Sequence, residues 1–321
     1  MPLVKNKIAL AAILNVILII VQLFFSSAAY ADNTCWTSGQ GMFSFGNVTA
    51  GSSSITSMDV TTTCQGSYGK DLWFRVCLQP DSSILSMKTN TSPAYSLNFQ
   101  IYSAADTINA LDIDNPAVLT MRTIGNQSMS GIFKLVGRIV SGRYDVPAMD
   151  YFNYHFPLNI RWVSAEREDL LPSCSSGTTA SPYPASAMAT VKNTCSISGV
   201  SPMNFGTLVG GQTPQLRGKA QSSVIIQCPV GTAYSIGLDN GQHYNGSQRQ
   251  LCSGTGECVK YGLWKNNSAT EEWGNVPGVS TLDISSSSGD KNRYVVYGVL
   301  PSQQWPSPGI YSDTIIVTLM Y

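Results

Sequence analysis

Short runs in which apolar and polar residues alternate recur along the whole chain. Residues 72–78 (Leu-Trp-Phe-Arg-Val-Cys-Leu), 223–228 (Ser-Val-Ile-Ile-Gln-Cys) and 294–300 (Tyr-Val-Val-Tyr-Gly-Val-Leu) are examples, with turn-forming residues between them. A two-residue period places one face of each run in a core and the other in solvent, which predicts antiparallel strands packed as a sandwich. Residues 165–171 are compatible with a helix, but the stretch is short and follows a strand. The last run, 314–321, puts Ile315, Val317, Leu319 and Tyr321 on one face. No later segment of the sequence supplies a strand to pair with it. It is therefore expected to be a sheet edge; the alternative is a complete sandwich that ends on a well-paired strand.

The runs are ordered twice over. Cys35 is followed ten residues later by Phe45-Gly46, and Cys195 ten residues later by Phe205-Gly206. Cys64 and Cys228 follow about thirty residues after the first cysteine of each copy. Phe99-Gln100-Ile101-Tyr102 parallels Tyr261-Gly262-Leu263-Trp264, and Gly142-Arg143-Tyr144-Asp145 parallels Gly309-Ile310-Tyr311-Ser312-Asp313. One fold used in tandem is the simplest account, so the expected class is all-β, two sandwiches in series.

Eight cysteines, an even number, fit an oxidising compartment. The repeat pairs Cys35 with Cys64 and Cys195 with Cys228. Cys252 and Cys258 bracket a turn sequence and close a hairpin, which leaves Cys77 for Cys174. Zinc is the competing use of clustered cysteines, but no CxxC pair occurs and His155 and His243 are the only histidines. No cofactor or metal is expected.

The first residues agree with export. Lys5 and Lys7 precede an apolar run over 8–25 and then Ala29-Tyr30-Ala31, the pattern of a signal peptide over 1–31 cleaved before Asp32; an uncleaved membrane anchor is the alternative. Setting aside Lys5 and Lys7, 17 basic residues face 19 acidic ones, a net charge of −2 without a basic patch, which argues against nucleic acid as a partner. Between 175 and 193 the composition turns to Ser, Thr, Ala and Pro, with Pro182 and Pro184 close together, and reads as a linker. The expected layout is a first domain over 32–174, that linker, and a second domain over 194–321.

Within the second domain, Cys195, Phe205-Gly206, Cys228, the 234–241 strand and turn, Arg249, Tyr261-x-Leu263-Trp264, Trp273-Gly274 and Pro308-Gly309-x-Tyr311-x-Asp313 together resemble the spore coat protein U domain. The first domain keeps the Cys–Phe-Gly–Cys opening and little else. The resemblance implies an immunoglobulin-like pilin domain that lacks its final strand, as in archaic chaperone–usher pili. The resemblance also implies that a periplasmic chaperone lends the strand during export through an outer-membrane usher, at the edge formed by Ile315, Val317, Leu319 and Tyr321, and that an adjacent pilin subunit replaces it in the fibre. Cleavage after Ala31 leaves only Asp32-Asn33-Thr34 before Cys35, too short to donate a strand. The resemblance therefore implies a tip subunit at the cell surface, acting in attachment to an abiotic or host surface and in biofilm formation, with the first domain as adhesin. Residues 185–191 occupy the place of a shaft subunit's donor extension; they are expected to serve as linker, with completion of the first domain by the same segment left open.

Binding is expected on loops at the free end of the first domain. The run 146–156 is rich in Met, aromatic and His residues and offers Met149, Tyr151, Phe152 and Tyr154; its alternative reading is the start of the last strand, with Tyr151 and Phe156 in the core. Two further loops, 87–95 and 124–132, add Tyr95, Ile124 and Met129. Apolar loop tips suit a hydrophobic surface, and mixed polar and aromatic groups suit a sugar. Catalysis is not expected, since neither histidine sits beside a nucleophile motif. The competing roles are a coat or matrix protein that self-associates by strand exchange and a secreted carbohydrate-binding sandwich.

Overall fold

The structure, a computed structural model, describes residues 33–66, 69–139, 144–211 and 213–321. The expected signal peptide and Gly142-Arg143 of the first turn motif lie outside the described residues. Ten strands build the first domain: β1 (Thr34–Thr37), β2 (Gly41–Thr49), β3 (Ser54–Gln65), β4 (Leu72–Gln79), β5 (Leu85–Lys88), β6 (Ser96–Ser103), β7 (Ala117–Thr123), β8 (Ser128–Ile139), β9 (Asp150–Ala165) and β10 (Thr178–Lys192). Eight build the second: β11 (Ser196–Val200), β12 (Leu216–Gln227), β13 (Tyr234–Leu238), β14 (Arg249–Cys252), β15 (Cys258–Trp264), β16 (Leu282–Ile284), β17 (Asn292–Gln303) and β18 (Val317–Met320).

The tandem repeat is a repeat of topology. In the first domain β1-β3-β8-β6-β5 follow one another in a run that joins β9 through β5 into one ten-stranded sheet, and a sheet of the second runs β11-β12-β17-β15-β14, the same order with every strand replaced by its counterpart. Against it lie β7-β4-β9 in the first domain and β16-β13-β18 in the second. The two domains are tandem immunoglobulin-like sandwiches. They part company beyond β9 and β18. In the first domain β9 continues into β10 and β10 into β2, whereas β18 is the edge of its sheet.

The stretch expected to be a linker, 175–193, is for the most part strand β10. It pairs antiparallel with β9, from Thr178↔Trp162 to Thr190↔Asp150, and parallel with β2, from Ala185↔Gly41 to Lys192↔Thr49. Its inward face is Tyr183, Ala185, Ala187, Ala189 and Val191, all buried in the first core. The two prolines fit because β10 meets β2 only from Ala185 onward; Pro182 falls at a register shift and Pro184 where one edge of the strand has no hydrogen-bonding neighbour. Composition hid the strand because its buried face is made of alanine. Beneath that face Phe43, Phe99 and Phe156 lie in mutual ring contact, with centroids 5.8–6.5 Å apart, and already fill the space.

Twin glycines mark how closely the two cores correspond. A Cβ on Gly137 of β8 would lie 2.7 Å from Phe43 and 3.0 Å from Phe45, and one on Gly298 of β17 would meet Met203 and, at 3.0 Å, Phe205. Each glycine makes room for the residues eight and ten places after the opening cysteine, so Met203 is the counterpart of Phe43 and Phe205 that of Phe45. In both copies the next residue is a glycine at positive φ, Gly46 at +61° and Gly206 at +75°; at Gly46 it forms a bulge against β10.

The four disulfides are those expected: Cys35–Cys64, Cys77–Cys174, Cys195–Cys228 and Cys252–Cys258. The connection between domains is short. β10 ends at Lys192 and Cys195 already belongs to the second domain. Val230 N donates to Tyr144 O at 3.0 Å, and Thr232 Oγ1 donates to Asn193 Oδ1 at 2.7 Å, across the junction.

Candidate functional site

In the first domain β10 lies between β9 and β2. The matching place in the second domain lies between β18 and residues 201–209, which form no strand. The consequence is visible in the side chains. Phe43 and Phe45 are buried under β10, while Met203 and Phe205 are only half-buried. Ile315, Val317 and Leu319 face the same groove from the other wall, half-buried and packed against the second core, and Tyr321 is exposed. The apolar face expected on the last strand is thus an apolar groove wall. Met203 is the lining residue that sequence reasoning missed; the signal was its alignment with Phe43, two places before each Phe-Gly pair.

β18 holds its place with only one strand beside it because a polar network fixes the chain on either side. β13, its partner from Ser235↔Met320 to Leu238↔Val317, is braced from behind. Trp273 Nε1 donates to Ile236 O at 2.8 Å, and buried Arg249 donates to Leu238 O, Asp239 O and Trp273 O at 2.9–3.0 Å. Burial pulls the Arg249 pKa down, opposed by the nearby Tyr261, Glu272, Asp239 and Asp313 oxygens. The segment leading into β18 is pinned by Asp313, whose carboxylate accepts from the Tyr261 hydroxyl at 2.6 Å and from the His243 backbone N–H at 3.2 Å. Burial, then the bond to Asp313, drives the Tyr261 hydroxyl pKa upward, so it remains a donor. Asp239 Oδ1 accepts from Ile316 N at 2.9 Å. Arg249, Tyr261, Trp273 and Asp313 are the motif residues singled out in the sequence, and together they brace β13 and the chain leading into β18.

The residues expected to bind a surface separate into two groups. Met149, Tyr151, Phe152 and Tyr154 do not form a loop at the free end, because all but Met149 belong to β9. Tyr151 is fully buried and donates its hydroxyl to Pro147 O at 2.9 Å. Met149 packs against the core, and its carbonyl accepts from Val191 N at 2.9 Å, close to the domain junction. The physical cause is the inward alternation of Phe156, Leu158, Ile160 and Trp162, which carries the strand back to Asp150. A register shift between Asn153 and Phe156 then turns Tyr154 outward, where it is 70% exposed and stacked on Phe152 at 5.3 Å. Tyr95 is half-buried in a loop closed by Thr89 N donating to Tyr95 O at 3.1 Å. Ile124 and Met129 are in the second group. They are 57% and 43% exposed, and the pairs Leu72↔Thr123 and Cys64↔Met129 set them at the end of the sandwich opposite the junction. Among the described residues no group of three or more His, Cys, Asp or Glu side chains is placed to hold a metal ion.

Comparison with known proteins agrees with this geometry. No curated protein matches the chain in sequence. A chain of the crystal structure of the CsuC-CsuE chaperone-tip adhesion subunit pre-assembly complex, from archaic chaperone-usher Csu pili of Acinetobacter baumannii, shares its fold. The identity is 20%, the alignment covers 90% of this chain and 100% of that one, and the TM-score is 0.52. The CupB6 tip adhesin from Pseudomonas aeruginosa aligns at 10% identity over 90% of this chain and 96% of its own, with a TM-score of 0.35. CfaE, the adhesive subunit of CFA/I fimbria of enterotoxigenic Escherichia coli, aligns at 12% over 88% and 93%, with a TM-score of 0.31. The family profile of the Spore Coat Protein U domain matches residues 182–318, beginning inside β10 and running into β18. The part of the chain that carries Met203 and β18 is therefore similar to the spore coat protein U domain.

Proposed function

We propose that the chain is the tip subunit of a chaperone–usher pilus. Its second domain accepts a strand from another polypeptide, and its first domain carries the surface-binding end. The observation that carries this reading is the difference between the two sandwiches: the first is closed by its own β10, and the second has the same groove open along β18. An apolar groove beside an unpaired edge is what β-strand addition requires, with backbone hydrogen bonds attaching the strand and alternate side chains filling the groove. The shared fold with a structure described as a chaperone-tip adhesion subunit complex supports a periplasmic chaperone as the first occupant and a neighbouring pilin as the second. Export through an outer-membrane usher to the cell surface follows from the same reading. Ile124 and Met129, at the end away from the junction, are the residues of the expected set suited to meet an apolar surface, and attachment of that kind would serve biofilm formation.

Coexpression with a periplasmic chaperone from a chaperone–usher system is the direct test. A stoichiometric complex is expected, lost in Val317→Asp and Leu319→Asp. A stable, partner-free monomer whose β18 amides resist hydrogen exchange would refute the acceptor role. Replacing Ile124 and Met129 with serine should reduce attachment to hydrophobic surfaces without reducing export; unchanged attachment would refute that placement.

A further inference from the structure

Phe152 and Tyr154 serve neither the first core nor the groove of the second domain, yet the chain is built to hold them together in solvent. Counting back from buried Phe156, strict alternation would turn Tyr154 into the core. Instead Ala185 pairs with Phe156 and Ala187 with Asn153, so Tyr154 and His155 together face Ser186 in a β-bulge that turns Tyr154 outward. Asn153 fixes the bulge: its Nδ2 donates to Ser86 O at 2.9 Å, and its Oδ1 accepts from His155 N at 3.3 Å. Tyr154 stacks on Phe152 with ring centroids 5.3 Å apart and planes 5° from parallel, and it remains 70% exposed. One face of the tyrosine ring thus lies on Phe152, and the other is open. Asn90 Nδ2 donates to the Tyr154 hydroxyl at 3.3 Å. Lys88 of β5 lies opposite Phe152, and two places before Phe152 the Asp150 carboxylate accepts from Thr190 Oγ1 at 2.6 Å.

We propose that this bulge builds a pyranose-binding platform on the side of the first domain. A pyranose ring has an apolar face of C–H bonds and a rim of hydroxyls that both donate and accept. The open face of Tyr154 matches the first, and the Asn90 amide, the Lys88 ammonium and the Asp150 carboxylate supply partners for the second. The apolar part is a pair of rings bounded by charged and amide side chains, far short of the roughly 800 Å² that a stable protein partner covers. A nucleobase would also stack, but its phosphates would find no basic patch. Ladder and bulge hold the rings in place before any ligand arrives, so little ordering accompanies binding. The platform lies beside β10 toward the domain junction, whereas Ile124 and Met129 are at the opposite end of the sandwich. A sugar and an apolar surface are therefore met at separate places on one domain.

The test uses the purified full-length chain and the methyl glycosides of glucose, galactose, mannose and N-acetylglucosamine at millimolar concentration, with binding read by saturation-transfer nuclear magnetic resonance. At least one glycoside is expected to bind through its C–H face. Tyr154→Ala should weaken that binding about tenfold or more, because the stacking face is lost. Tyr154→Phe keeps the ring and should weaken it far less. Tyr154 is mostly exposed, so the urea midpoint should not move in either variant. Ile124→Ser with Met129→Ser should leave sugar binding unchanged. Binding of none of the four glycosides would overturn the proposal, as would binding that survives Tyr154→Ala or is lost with Ile124 and Met129 instead. A protein captured through Phe152 and Tyr154 while no glycoside binds would overturn it too.

Discussion

Gly137→Ala and Gly298→Ala are the same change at twin positions, and they distinguish a closed groove from an open one. At Gly137 the new Cβ falls 2.7 Å from the Phe43 ring and 3.0 Å from Phe45. Both rings are held under β10 with Phe99 behind them, so room is made only by lifting the closing strand. Overpacking of this kind costs about 1–3 kcal/mol. Loss of glycine's freedom in the unfolded chain returns about 0.4–1 kcal/mol, leaving a net loss of about 1–2 kcal/mol. At Gly298 the new Cβ meets the thioether of Met203 and, at 3.0 Å, the Phe205 ring, but both side chains are half-buried with no strand above them. Met203 and Phe205 can both shift outward, so the net loss should be smaller than at Gly137, about 0.5 kcal/mol or less. Hydrogen exchange of the full-length variants, read separately for fragments of each domain, measures both effects, since 1.4 kcal/mol is a tenfold change in protection. The first domain of Gly137→Ala should lose protection and the second domain of Gly298→Ala should lose much less. Equal losses, or a larger loss at Gly298, would mean that the second groove is already filled. Once a strand is bound there, the Gly298→Ala penalty should appear as weakened affinity for that strand.

Three further outcomes are expected. Ala187→Asp places a carboxylate in the first core and should cost several kcal/mol, seen as protease cleavage within 178–192 while the second domain stays resistant. Cys77→Ser with Cys174→Ser opens a loop of sequence separation 97 and should lower stability by about 2–5 kcal/mol, measured as a shifted urea midpoint of the first domain. Glu257 is held below the usual carboxylate range, first by the Ser307 backbone N–H and then by the Ser307 and Tyr311 hydroxyls. A folded-state pKa below the unfolded one means its contribution is present at neutral pH and is lost as pH falls through the carboxylate range. Nuclear magnetic resonance should then show the Ser307 amide losing protection on acidification, relative to its intrinsic exchange rate, and Glu257→Gln should remove that dependence.

Much of the architecture was legible because it was written twice. The spacing of cysteines and Phe-Gly pairs in the two halves carried over into the same five-strand order, and the alternation at Ile315, Val317 and Leu319 marks the face of the last strand that packs against the second core. What escaped notice did so for identifiable reasons. Ala185, Ala187 and Ala189 alternate with Ser186, Met188 and Thr190, and alanine gives too little hydrophobic contrast to register as a strand; its burial follows from the phenylalanines below, which are distant in sequence. Tyr151 looked available for binding because aromatics in a loop signal a surface, yet the strand extends through it into the core. Gly137 and Gly298 sit inside strand patterns, where glycine reads as a weakness, and their purpose appears only when the side chains across the core are seen. Ile124 and Met129 were chosen for their apolar character, but their position opposite the junction depends on strand register, which no local pattern reports.

The path of β10 through the molecule has a mechanical consequence. Four residues before it begins, Cys174 is bonded to Cys77 of β4, and three residues after it ends, Cys195 is bonded to Cys228. Tension drawing the domains apart therefore acts lengthwise on a strand whose ladders to β9 and β2 resist sliding together instead of being peeled apart rung by rung. If the strand did slip, the covalent bridge at its upstream end would stop its withdrawal and keep it in position to reseat when the load was released.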